Sequence, residues 1–335
     1  MTLASRGPLA ARLREQEVVV LDGALATELE RRGADLADPL GSARVLLEAP
    51  ELVAAVHRDY LEAGADVITT ASYQATVQGL MLRRLSRPDA EGVISSAVRL
   101  ARDERDAFWA DEGVRVGRSR PLVAASVGPY GAYLADGSEY HGDYGIGEGP
   151  LAVFHAPRMA LLVAAGPDLL ACETIPSLAE ARALLVVLER HPGMTAWFSF
   201  SARDGTRLSS GEPMRDAAAL LDGHPQVAAI GVNCTAPRHV PSLLREARSA
   251  TSLPLVAYPN SGERYDAASH GWRGDRDGRG FAAQAREWVE AGARLVGGCC
   301  RTTPTDIAAL RDWTSPLGSV EQGRRGPSPP VPGWR

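Results

Sequence analysis

A repeated unit constrains this chain most: a short apolar run, a polar turn, then a segment whose apolar residues have helical spacing. The runs are Glu17 to Leu21 (EVVVL), Asp66 to Thr70, Pro121 to Val127 (PLVAASV), Asp168 to Cys172, Met194 to Phe200, Val227 to Val232, Leu253 to Tyr258 and Arg294 to Val296. They are apolar on both faces, which predicts a parallel sheet covered by helices. Eight strand–helix units across about 300 residues predict one (β/α)8 TIM barrel, here over residues 1–313. No G-x-G-x-x-G follows an early strand, which weighs against an open nucleotide-binding sheet.

Two connections are too long for plain barrel loops. Gly128 to Pro150 (GPYGAYLADGSEYHGDYGIGEGP) follows the third strand, and Asn260 to Gly280, rich in Gly, Arg and Asp, follows the seventh. Both fall on the strand C-terminal side, where barrel enzymes build their sites, and long loops there are usually functional or disordered. The first is expected to cover a substrate and the second to be partly mobile. From Thr314 to Arg335 the chain turns to Pro, Gly, Ser and Arg, which predicts a disordered tail.

Charge and cysteine content narrow the function classes. A net charge of -5 argues against nucleic acid and against an anionic membrane surface as partner. No run approaches the ~18 apolar residues needed to span a bilayer. Met1 to Gln16 is a polar, arginine-dotted helix candidate without the apolar segment of a signal peptide. The expectation is a cytoplasmic monomer or small homo-oligomer acting on small molecules. Four cysteines, two of them adjacent, make no disulfide framework and read as metal ligands or catalytic thiols.

In the predicted barrel the strand ends carry Asp22, Thr70 to Gln74, Ser126, Glu173, Ser199 to Ser201, Asn233-Cys234, Tyr258 to Asn260 and Cys299-Cys300. Neighbouring side chains of a regular strand point to opposite faces, so two adjacent cysteines would not reach one centre. Gly297 and Gly298 permit a backbone that turns both sulfurs inward. Thr303 then reads as a helix N-cap, with Pro304 at the first helical position and Asp306 in the first turn. Ser177 and Glu180 have capping-box spacing.

Strands six and eight lie two apart, with neighbours ~4.8 Å from one another. Thiols on them can close ~10 Å onto one ion, given metal–sulfur bonds of about 2.3 Å. Cys234, Cys299 and Cys300 would leave a fourth tetrahedral position open, the mark of a catalytic zinc, and a substrate thiol suits it. The other readings are two buried thiols beside a chance neighbour, or a redox pair. Cys172 reads as a small buried hydrophobe. Asp22 fits a helix-capping acid as well as a site acid, whereas Glu173, with buried strand neighbours, reads as functional. His57, His155 and His191 read as surface or packing residues, and Trp109, Trp197 and Trp288 as packing.

Several motifs recur together: Leu21-Asp22-Gly23-Ala24 with Thr27-Glu28-Leu29, Ser126-Val127-Gly128-Pro129, Glu173-Thr174, Gly231-Val232-Asn233-Cys234 and Gly297-Gly298-Cys299-Cys300-Arg301. From Val18 to Leu310 the chain resembles the zinc-dependent homocysteine S-methyltransferase family. Within it, the chain is most similar to the stand-alone bacterial and plant branch that uses S-methylmethionine. That branch's patterns stand here as Thr70 to Thr76 (TASYQAT), Tyr130 to Tyr140 (YGAYLADGSEY) and Tyr258 to Glu263 (YPNSGE). No cobalamin- or folate-binding module follows, so the branch is expected to work without either.

The resemblance implies Zn2+ on Cys234, Cys299 and Cys300, with homocysteine sulfur as the fourth ligand. It implies that Glu173 contacts the homocysteine amino group, and Asp22 with the backbone of Gly23 and Ala24 its amino-acid end. It implies that Asn233 steers the ligand cysteine beside it by hydrogen bonding, with Gly297 and Gly298 supporting the other two. In the betaine-using branch a tyrosine follows the glutamate; Thr174 stands there in this chain, so no metal role carries over. Gln74, Ser126, Tyr130, Tyr133, Tyr140 and Asn260 are the candidates for the donor pocket, the three tyrosines by cation–π attraction to a sulfonium. The expected reaction is methyl transfer from a sulfonium to homocysteine, giving methionine. Alternatives are betaine or S-adenosylmethionine as donor, a non-catalytic zinc- or thiol-binding barrel, and a dithiol redox protein.

Overall fold

The computed structural model describes residues 7–36, 38, 40–262, 264–266, 271–273 and 280–314. The expected tail beyond Thr314 and most of the expected mobile connection after the seventh strand lie outside the described residues. Eight parallel strands make the sheet: β1 (Val19–Val20), β2 (Val67–Thr69), β3 (Leu122–Val127), β4 (Leu169–Ile175), β5 (Ala196–Phe200), β6 (Val227–Asn233), β7 (Leu255–Tyr258) and β8 (Ala293–Val296). Each of β2 to β7 pairs with its successor, and β8 pairs with β1. A parallel bridge from Leu21 to Val67 closes the ring, with Asp66 N donating to Val20 O at 2.7 Å. The predicted (β/α)8 barrel is the fold observed.

Closure explains why the strands are apolar on both faces. Val19, Leu21, Val67, Ala124, Leu169, Ala171, Trp197, Ala229, Val256, Tyr258 and Leu295 form one buried cluster inside the ring. The alternating residues, among them Val20, Ile68, Val123, Cys172, Phe198, Ile230 and Val296, join the layer under the helices. Cys172 is thus packing, as its apolar strand suggests. Two residues on, in the inward phase, the side chains become Thr69, Ser126, Glu173 and Ser199, and four on from Ala229 comes Asn233. The barrel is greasy below and polar at its C-terminal rim.

The helix Gly7–Glu15 stoppers the other end, with Leu9 fully buried in the interior cluster and Arg12 paired with buried Asp66 at 3.7 Å. The segment after β3 is more ordered than a plain loop. It holds the helix Tyr130–Leu134 and the 3-10 turn Ser138–Tyr140, and it enters the helix Glu148–Ala164. Glu180 fastens it: one carboxylate oxygen accepts from Tyr130 N at 2.5 Å and bonds His155 Nε2 at 2.9 Å, the other accepts from Tyr144 Oη at 3.0 Å. The capping box at Ser177 is therefore half formed. Ser177 Oγ accepts from Glu180 N at 3.3 Å, while the Glu180 carboxylate is taken by the loop. His155, read from sequence as an ordinary helix residue, is fully buried in this network beside Arg158.

Candidate metal centre and substrate site

The three thiols meet at the rim. Cys234 Sγ lies 2.6 Å from Cys299 Sγ and 3.8 Å from Cys300 Sγ, and the adjacent pair are 3.9 Å apart. They are the one group of three metal-ligating side chains found among the described residues. Metal–sulfur bonds of about 2.3 Å at tetrahedral angles place sulfurs ~3.8 Å apart. Two of the three edges already have that length. The third is too short for two ligands of one ion and too long for a disulfide bond of about 2.05 Å, so a small rotation of Cys234 or Cys299 completes the fit. All three cysteines are free and half-buried. Mutual hydrogen bonding from Cys234 and Cys300 holds the Cys299 thiol well below its ordinary range, and bonding to Cys299 pushes Cys234 well above. Three soft donors with one readily ionised suit a thiophilic cation.

The local sequence builds this triangle by close approach. Gly297 and Gly298 permit a backbone that brings both sulfurs to one centre without a left-handed conformation at either. A side chain at Gly298 would collide with Thr302, and one at Gly297 would come within 2.6 Å of Leu21. The glycines let the loop after β8 lie flat on the loop after β1. Thr302 Oγ1 then donates to Cys299 O at 2.6 Å and accepts from Ala24 N at 3.2 Å. Cys299 N donates to Pro259 O at 2.8 Å, and Ser261 N to Cys300 O at 3.1 Å, so the loop after β7 braces the pair. The left-handed residues are instead Thr174 (φ 59°), Cys234 (φ 47°) and Arg301 (φ 68°). Each such non-glycine residue costs roughly 1–3 kcal/mol, a strain that collects at functional sites. Thr303 caps the helix Pro304–Thr314 as expected, exchanging hydrogen bonds with Asp306.

Two carboxyls, buried Asp22 and half-buried Glu173, face the thiols. Asp22 does not cap the following helix; it accepts from Thr69 N at 2.7 Å and from Thr69 Oγ1 at 2.9 Å. Burial raises it to about 7, against these hydrogen bonds, with the charge on Cys299 adding to the rise. Glu173 accepts from Ser126 Oγ and, at 3.1 Å, from Tyr258 Oη, and burial raises it to about 8. Tyr258 is itself held by Trp197 Nε1 at 2.9 Å and by Ser199. Asn233 bonds Thr174 twice, N to Oδ1 at 2.7 Å and Nδ2 to Oγ1 at 2.8 Å. Its side chain thus fixes the strand end carrying Glu173, rather than a sulfur; its backbone alone leads into Cys234. Gly23 admits Tyr60 and Thr302, either of which a side chain there would meet at 2.9 Å.

The donor-pocket candidates separate. Burial raises the Tyr140 hydroxyl, and Tyr140 is close enough to Cys234 and Cys300 for their charge to add to the rise. Tyr130 and Tyr133 instead pack on Phe154, with ring centres 4.8 and 5.3 Å away. Ser126 supports Glu173, and Gln74 packs on Gly41. Asn260 is buried between the thiol loops, its N donating to Thr235 O at 3.1 Å and its Oδ1 without a partner among the described residues. Thr69, not named from sequence, belongs to the same rim as Tyr73 and Tyr258, which the sequence places there only as strand-end residues without a role. Thr69 and Tyr258 were findable by counting in twos from the inward residues Val67 and Val256.

Known proteins resemble this chain over most of its length. The homocysteine S-methyltransferase profile matches residues 19–314. Homocysteine S-methyltransferase YbgG of Bacillus subtilis is 51% identical over 310 residues, spanning 92% of this chain and 98% of its own. Homocysteine S-methyltransferase of Escherichia coli is 51% identical over 311 residues, covering 92% and 99%. The crystal structure of the metallated homocysteine methyltransferase MmuM from Escherichia coli superposes with a TM-score of 0.82 at 49% identity, over 91% of this chain and 99% of that one. The chain belongs to the homocysteine S-methyltransferase family.

Proposed function

We propose that this enzyme transfers a methyl group from a sulfonium donor, S-methylmethionine, to homocysteine, giving methionine, with zinc held by Cys234, Cys299 and Cys300. The observation that carries the reading is the half-buried thiol triangle at the barrel rim, with Asp22 and Glu173 beside Cys299. A bound zinc supplies thiol activation: a coordinated thiol gives up its proton and remains nucleophilic at neutral pH. Glu173 and Asp22, short of counter-charge, are suited to the ammonium of homocysteine, which restores their ionised form by opposite charge. Ser126, Tyr258 and Thr69 aim those carboxyls. The homocysteine sulfur bonds to the methyl carbon as the donor's carbon–sulfur bond breaks. The released electron pair stays on the donor sulfur, which leaves as a neutral thioether. Because the donor loses its charge, partial exclusion of water at the rim favours the transition state.

The test is methionine formation from homocysteine with S-methylmethionine, S-adenosylmethionine or betaine, with and without a chelator, alongside metal analysis. Chelator-sensitive turnover that is fastest with S-methylmethionine is the expected result. Cys299→Ser should lose bound zinc and lower turnover by well over ~100-fold, the upper range for losing even a residue that supports a metal ligand. Retained zinc with full activity in that variant would overturn the ligand assignment.

A further inference from the structure

Glu139 is an acid whose place in the structure nothing above explains. It lies in the turn Ser138–Tyr140 on the segment after β3, where a free glutamate would point to solvent. Its backbone is fixed instead. Ser201 Oγ, at the end of β5, donates to Glu139 O at 3.0 Å, and a side chain at Gly131 would collide with Glu139 N. Its carboxylate oxygen Oε2 is buried and has no hydrogen-bond partner among the described residues. Leaving a carboxylate oxygen in that state costs on the order of 1–3 kcal/mol or more, so a ligand is expected to relieve it. Burial accordingly raises the acid, against a hydrogen bond from its own backbone N–H, with Asp136 adding to the rise and His141 opposing it.

The surroundings show what kind of ligand. Glu139 acts electrostatically on Tyr73 and Tyr140, and both tyrosines also feel Cys234. Asp22 and Glu173 feel Cys299 instead. Tyr73 also feels Glu173, and Tyr140 also feels Cys300, so these two rings link Glu139 to the thiol triangle. Resting on the proposed function, we infer that Glu139 binds the positive charge of the methyl donor, an onium group lodged between its carboxylate and the rings of Tyr73 and Tyr140. A sulfonium has no N–H or O–H to donate, so it suits an oxygen left with no donor partner, and aromatic faces attract it as they do other cations. Glu139 is thereby a specificity residue for the donor, distinct from the homocysteine carboxyls Asp22 and Glu173.

Two measurements on the metal-loaded full chain test this. Glu139→Gln should raise the KM for S-methylmethionine at least tenfold and leave the KM for homocysteine and the zinc content within twofold. Calorimetric titration with trimethylsulfonium chloride should show binding to the native protein that weakens at least tenfold in Glu139→Gln and partly recovers in Glu139→Asp. Unchanged donor KM, equal shifts in both KM values, or no trimethylsulfonium binding by the native protein would overturn the inference. The titration needs no turnover, so failure of the native protein with every donor would overturn the proposed function separately.

Discussion

Burial lifts Asp22 from 3.8 to about 7 and Glu173 from 4.5 to about 8, so both change charge near neutrality. Each holds its proton more tightly folded than unfolded. Their contribution to stability is therefore fully present below pH 3.8 and is lost as the pH rises towards 7 and 8. Metal-free, substrate-free protein should show a urea midpoint that falls between pH 5 and 8.5, with part of the slope removed in Asp22→Asn. Homocysteine should restore more stability at pH 8.5 than at pH 5, since its ammonium favours the ionised carboxyls. A midpoint rising over that range would contradict the burial of these acids. At this scale the sequence exposed the residue types but not their partners. Asn233 was visible as the residue before Cys234, yet its side chain is spent on Thr174, 59 positions away.

At the scale of elements, β6 and the loop after β8 deliver the sulfurs, and glycines set how closely they come. Gly231 lies in β6, three residues before Cys234, and a side chain there would run into the carbonyl of Val256 on β7. Because the obstacle is backbone in a ladder, it yields little. Gly231→Ala should cost about 3 kcal/mol in urea unfolding, the upper end of ordinary overpacking, and should lower zinc affinity by displacing Cys234. A variant as stable as the parent would show that the two strands can separate cheaply. The strands and long helices were legible because apolar periodicity is a local property. The short helices Ser42–Glu48, Val77–Leu82 and Tyr130–Leu134 were not, since tertiary packing holds segments too short to stand alone.

Across the whole molecule the barrel keeps stability and chemistry at opposite ends. Leu9, in the N-terminal helix, fills the base of the ring, and Arg12 beside it meets Asp66 and the carbonyl of Arg120 at 2.5 Å. The thiols and their acids lie beyond the apolar interior, at the other rim. Leu9→Ala should cost about 3 kcal/mol by leaving a cavity, while kcat and both KM values stay within twofold under native conditions. Matching losses of stability and kcat/KM would show that the base of the ring transmits to the rim. No helix among the described residues is long and apolar enough to cross a membrane.

The sequence by itself determined the eight-unit barrel, the rim as the place of chemistry and the three cysteines as one group, because each follows from periodicity and from where strands end. Only the tertiary structure decided that Gly297 and Gly298 also admit Leu21 and Thr302 at close range. It also separated Tyr140 from Tyr130 and Tyr133, turned Asp22 to Thr69, and seated Glu139 with a buried, unpartnered oxygen. These depend on which atoms of distant segments meet when the ring closes, and no local pattern in a chain records that.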